Sequence, residues 1–77
     1  MTWDDEPSEA QLGTIFSWLK WVVDRQVASD AVNWLQNNAT RRDVSYEMTR
    51  LKSLKEKRLL DASTCFKSEI WEGFKHE

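Results

Sequence analysis

Ala39-Thr40-Arg41-Arg42-Asp43-Val44-Ser45-Tyr46-Glu47-Met48-Thr49-Arg50-Leu51-Lys52-Ser53-Leu54-Lys55-Glu56-Lys57-Arg58 is the stretch from which the fold is read. It opens with Thr40 and, three residues on, Asp43, an acidic form of the capping box, with the Asp43 carboxylate in the first turn where the helix dipole favours it. Val44, Met48, Leu51 and Leu54 then recur at three- and four-residue spacing and form one apolar stripe. At about 100° per residue, Arg42, Tyr46, Arg50 and Lys57 fall near the opposite face, with Thr49 and Ser53 between them. The stretch predicts a helix over 41–58 with one face to bury and one basic, hydroxyl-bearing face to present.

Working outward, the chain of 77 residues has room for one domain. Hydrophobic residues at 40% and charged residues at 31% describe a chain able to build a core, not a disordered tail. Two glycines and one proline are too few for the tight turns of an all-β chain. Ser8 with Gln11 is a second capping signature, S-x-x-Q, and starts a helix over 9–23, with Leu12, Ile15, Phe16, Leu19, Val22 and Val23 on its buried stripe. Ser29 or Asp30 is the next cap, for a helix over 30–37 with Ala31, Val32 and Leu35 inward and Trp34 beside them; Asn37-Asn38 suits its end, because Asn tolerates the left-handed conformation. Past Leu60 two readings stay open: a fourth helix capped by Asp61 and carrying Ala62, Cys65, Phe66, Ile70 and Phe74, or an extended segment, the helix being favoured. The expectation is an all-α, compact three- to four-helix bundle over 8–77, preceded by a flexible acidic leader over 1–7. Its core is expected to hold Leu12, Ile15, Phe16, Leu19, Val32, Leu35, Val44, Met48 and Leu51.

Pro7-Ser8-Glu9-x-Gln11, a run of apolar residues, and then Ala39-Thr40-Arg41-x-x-Val44-Ser45-x-x-Met48-x-x-Leu51-Lys52 resemble a small helical module of unknown function found in proteins of phages and mobile elements. The resemblance covers residues 7–52 and implies a compact helical domain in a phage or mobile-element context. The chain departs from the pattern in Ala10, where the module opens with lysine, in its Trp-rich first helix and in its extra C-terminal segment.

Charge is unevenly placed around a net of -2. Asp4, Asp5, Glu6 and Glu9 crowd the start, whereas 41–58 sets seven basic side chains against Asp43, Glu47 and Glu56. The overall acidity argues against a protein whose main task is to coat nucleic acid. Neutralisation between the two ends of the molecule accounts for much of this pattern. The single cysteine, Cys65, has no partner for an internal disulfide and sits among apolar residues, so it reads as an inert buried thiol. With no apolar signal-like run at the start, a cytoplasmic location is expected, and Trp18–Val23 is too short and too broken by Lys20 to enter a membrane.

No chemistry of catalysis assembles from this sequence. The lone histidine, His76, is penultimate; no Cys or His pair has metal-ligand spacing; glycine-rich phosphate loops and nucleophile elbows are absent. No cofactor, metal or small-molecule substrate is expected, and the chain reads as a binding protein, not an enzyme. Five tryptophans carry the functional reading. Trp34 and Trp71 read as core. Trp18 sits on the flank of the first helix's stripe and Trp21 falls on its far side: either the C-terminal segment covers Trp21, or Trp18 and Trp21 are anchors for a protein partner or for self-association. Asp4, Asp5 and Glu6 join them as carboxylates able to imitate phosphate charge, so that the chain could inhibit host nucleic-acid machinery such as a CRISPR effector. The alternative is a DNA- or RNA-binding accessory protein contacting phosphates through Arg41, Arg42, Tyr46, Arg50 and Lys57, against which stands an ordinary solvated face with a Glu47–Arg50 pair.

Overall fold

The computed structural model describes residues 5–74. Three α-helices, α1 (Glu9–Leu19), α2 (Arg25–Asn38) and α3 (Arg41–Glu56), are followed by a run of turns and a single 3-10 turn, Glu69–Trp71. Among the described residues there is no strand, and no helix is long and apolar enough to cross a membrane. α1 packs against both α2 and α3 within a body of 33 × 26 × 21 Å.

Both capping boxes form. Gln11 N donates to Ser8 Oγ and Ser8 N to Gln11 Oε1, each at 3.1 Å. At α3, Asp43 N donates to Thr40 Oγ1 at 3.2 Å and Thr40 N to Asp43 Oδ2 at 3.1 Å. Each box satisfies two of the amide groups that a helix start leaves without an intrahelical acceptor. Residues 5–7, the described part of the stretch read as a leader, lie at this end: Asp5 O accepts from Arg41 N at 2.8 Å, and Pro7 is buried. The remainder of that stretch, Asp4 included, lies outside the described residues.

The helix boundaries differ from the expected ones at four places, α3 stopping at Glu56 instead of 58. α1 stops at Leu19 instead of 23, and a turn follows in which Val22 N and Val23 N both donate to Leu19 O at 2.9 Å. The periodicity runs on because a turn returns Val22 and Val23 to the core just as another helical turn would, and both are half-buried. α2 begins at Arg25, not 30, after Asp24 as N-cap; its buried stripe of Val27, Ala28, Ala31 and Leu35 includes two alanines that allow close approach to α1. Asn37 and Asn38 do not end α2 in a left-handed turn. Their amides donate back to Asn33 O and Trp34 O, and the helix stops at an extended Ala39 that leads straight into the α3 cap.

The C-terminal segment corrects the favoured fourth helix: within 61–74 there is no α-helix. Asp61 caps turns, accepting at Oδ1 from Ser63 N at 2.8 Å, Ser63 Oγ at 2.6 Å and Thr64 N at 3.0 Å. These hydrogen bonds, Ser63 first, hold its carboxyl below the usual carboxylate range. The segment then lays Cys65 and Trp71 into the core with Ile15, Leu19, Ala28, Ala31, Leu35, Val44 and Leu51. Phe66, Trp71 and Phe74 pack as tilted and edge-on rings with centroids 4.8–5.3 Å apart, within the range aromatic pairs favour. Trp34 joins them 5.7 Å from Phe74, its Nε1 donating to Ile70 O at 2.9 Å. Gly73 crosses that ring at φ +90°, where a Cβ would come within 3.3 Å of Trp34 Cη2, so both backbone and space favour glycine. Of the expected core, Ile15, Leu19, Leu35, Val44 and Leu51 are fully buried, and Leu12, Phe16, Val32 and Met48 pack half-buried around them.

Candidate interaction surface

Because α1 ends at Leu19, Trp21 sits in the turn after it and is 80% exposed, while Trp18, still on the helix, is half-buried. The last turn of α3 supplies Lys55, and the residues beyond it supply Arg58 and Leu60. Together with Trp18, Trp21 and Val22 these enclose a hollow of about 320 Å³. On the other side of Trp18 a second hollow of about 280 Å³ is lined by Gln11, Ser45, Met48, Thr49 and Lys52. Trp18 is thus the shared wall of a groove that follows the α1–α3 seam. Lys20 Nζ stands 5.6 Å from the Trp21 ring centroid and Lys55 Nζ 6.0 Å from that of Trp18, at the distance where a ring face attracts an ammonium group.

Of the residues expected to contact phosphates, Arg42, Tyr46 and Lys57 are exposed on α3. Arg41 is half-buried, with its Nε buried and without a hydrogen-bond partner. Arg50 is half-buried and turned towards the C-terminal segment. Its Nη1 donates to Thr64 O at 2.9 Å and its Nη2 to Cys65 O at 2.5 Å, while Nε and Nη2 donate to Glu47. A guanidinium whose donors are engaged in this way is a structural tie between α3 and the C-terminal segment. Asp5 and Glu6 are exposed ahead of α1, whose first residue, Glu9, lies nine helical positions, roughly 14 Å, from Trp18. The structure therefore brings Trp18 and Trp21 together and leaves Asp5 and Glu6 at the other end of the domain.

Sequence reasoning missed Glu47 as an organising residue. Its carboxylate is buried, 4% exposed, and accepts from Trp71 Nε1 at 2.9 Å and Ser68 Oγ at 2.8 Å besides pairing with Arg50. The signal was present: Val44, Glu47 and Leu51 share one stripe by three- and four-residue spacing, and an acid on an apolar stripe needs a buried partner. Cys65 is fully buried, and burial pushes its thiol up to about 11, so almost none is thiolate at neutral pH. A further hollow of about 470 Å³ is lined by Trp34, Asn38, Ile70 and three carboxylates, Asp43, Glu69 and Glu72. Among the described residues no group of three His, Cys, Asp or Glu side chains is placed to hold a metal ion.

Comparison with protein-family models, curated proteins and solved structures finds no match. What fold and surface define is a class: a small three-helix domain with an aromatic groove edged by cations.

Proposed function

We propose that this chain is a non-enzymatic helical binding protein that docks on a protein partner through the Trp18–Trp21 surface. The observation that carries the reading is Trp21, 80% exposed beside a hollow it helps to line. A tryptophan held in water offers a large apolar area whose burial favours association, and tryptophan is enriched among the residues that dominate interface energies. The nucleic-acid alternative retains Arg42, Tyr46 and Lys57, but Arg50 is engaged by Glu47 and two backbone carbonyls. A phage or mobile-element setting, and inhibition of nucleic-acid machinery such as a CRISPR effector, rest on the small size and on the resemblance of residues 7–52. A cytoplasmic location rests on the lone cysteine.

Trp21→Ala tests the proposal. Its melting temperature should stay within a degree or two of the parent, because little contact is lost at an exposed site. Capture of the partner from source-cell extract should weaken by about 2 kcal/mol or more in titration against the purified complex. A large fall in melting temperature would make Trp21 a structural residue, and unchanged capture would move the interface elsewhere.

A further inference from the structure

Resting on that docking reading, we infer that the occupant of the α1–α3 groove is an acidic, amphipathic segment of the partner protein. Its apolar side chains lie between Trp18, Trp21 and Leu60, and its carboxylates face Lys20, Lys52, Lys55 and Arg58. The charge of the site makes the argument. The chain carries a net -2, yet no carboxylate stands among the described residues lining the two hollows, where Lys52, Lys55 and Arg58 all appear. A separate hollow carries three carboxylates, Asp43, Glu69 and Glu72. A groove of one sign on a molecule of the other sign selects its ligand by charge and speeds the encounter with it.

Geometry narrows the class further. From Ser45 to Lys55 the lining residues span ten positions along α3, about 15 Å, which two to three turns of a partner helix would cover. The hollow beside Trp21 combines apolar lining, from Val22, Leu60 and two indole rings, with two cations, Lys55 and Arg58. That arrangement suits a helix with one apolar and one acidic face. It suits a single nucleic-acid strand less well. Bases stack on open aromatic faces; of the two rings only Trp21 is open to solvent, with Lys20 over it, while Trp18 is half-buried with Lys55 over it. A carboxylate meets those same ammonium groups where they already stand.

The test is selection of random short peptides, displayed on phage, against the immobilised full chain, with Trp21→Ala and a Lys20→Glu/Lys55→Glu double variant run in parallel. The expected result is enrichment of net-negative sequences with aromatic or aliphatic residues at helical spacing. Their affinity should be on the order of tenfold weaker for the charge-reversed variant, whose own selection should turn towards basic sequences, with no enrichment on Trp21→Ala. Trp21-dependent enrichment of neutral or basic peptides overturns the acidic class and leaves docking at Trp21 standing. Failure to enrich any peptide while extract capture remains Trp21-dependent also overturns this inference alone; loss of both removes the docking reading as well. Competition by an oligo-dT strand would reassign the groove to nucleic acid. Sedimentation showing a dimer that Lys55→Glu dissociates would make a second copy, through its acidic hollow, the occupant.

Discussion

Arg58 holds φ +59°, the left-handed conformation that ends α3, and among the described residues it is the only non-glycine with positive φ. Arg58 N donates to Lys55 O at 3.1 Å and Leu59 N to Leu54 O at 2.8 Å, the paired closing bonds of a Schellman turn. Glycine usually takes this position, since a side chain there costs about 1–2 kcal/mol. Arg58→Gly should therefore raise stability by about 0.5–1 kcal/mol after the extra freedom of glycine in the unfolded chain is subtracted, read as a higher denaturant midpoint at unchanged slope. The same variant removes a cation from the groove rim and should bind acidic peptides less tightly. Gain of stability with loss of binding would explain why a side chain stands where the backbone prefers none. A lower midpoint would show that the Arg58 side chain itself holds the turn. The exposure of Trp21 was legible by a route that the structure replaces: helical phase put it opposite Leu12 and Leu19, whereas it is exposed because the helix has already ended.

At the scale of elements, caps were the legible part. Ser8–Gln11 and Thr40–Asp43 fixed the starts of α1 and α3 because a capping box is local chemistry, closed within four residues. The end of α1 and the start of α2 carry no such mark. Asp24 caps α2 through its backbone with no side-chain hydrogen bond, and no glycine or proline interrupts Leu19–Val23. The C-terminal segment was least legible, since its course depends on a long-range tie, Glu47 with Arg50, Ser68 and Trp71. Removing that carboxylate leaves an indole N–H and a hydroxyl without their acceptor, and the Arg50 guanidinium with the Thr64 and Cys65 carbonyls but no counter-charge. Glu47→Ala should cost about 3 kcal/mol, at the lower end for a broken buried pair because Arg50 keeps part of its surface in water. The Cys65 thiol reports where the loss falls. It is fully buried in the parent and should resist alkylation; in Glu47→Ala it should label at denaturant concentrations that leave the helical circular dichroism intact. Labelling that only tracks global unfolding would mean the tie stabilises the whole core uniformly.

For the molecule as a whole, the question is whether 61–74 decorates a three-helix core or completes it. A chain of this size buries a smaller share of its surface than a larger domain, and its stability is of the order of 5 kcal/mol. Two members of the buried cluster, Cys65 and Trp71, come from the segment, and Phe66, Ile70 and Phe74 pack against it. Burying one large apolar side chain contributes about 1.5–3 kcal/mol, so loss of these residues removes an amount comparable to the whole stability. Their loss also uncovers Glu47, 4% exposed in the intact chain, with neither Ser68 nor Trp71 to satisfy it. A chain ended after Leu60 should accordingly lose its cooperative melting transition while keeping some helical signal from the capped starts of α1 and α3. Trp71→Phe in the full chain is the graded companion: the ring stays, the N–H to Glu47 goes, and the expected cost is about 1–2 kcal/mol with cooperativity retained. If the shortened chain instead melts sharply near the parent temperature, the three helices suffice alone, and the aromatic cluster of Phe66, Trp71 and Phe74 would need a different explanation from the one its burial gives.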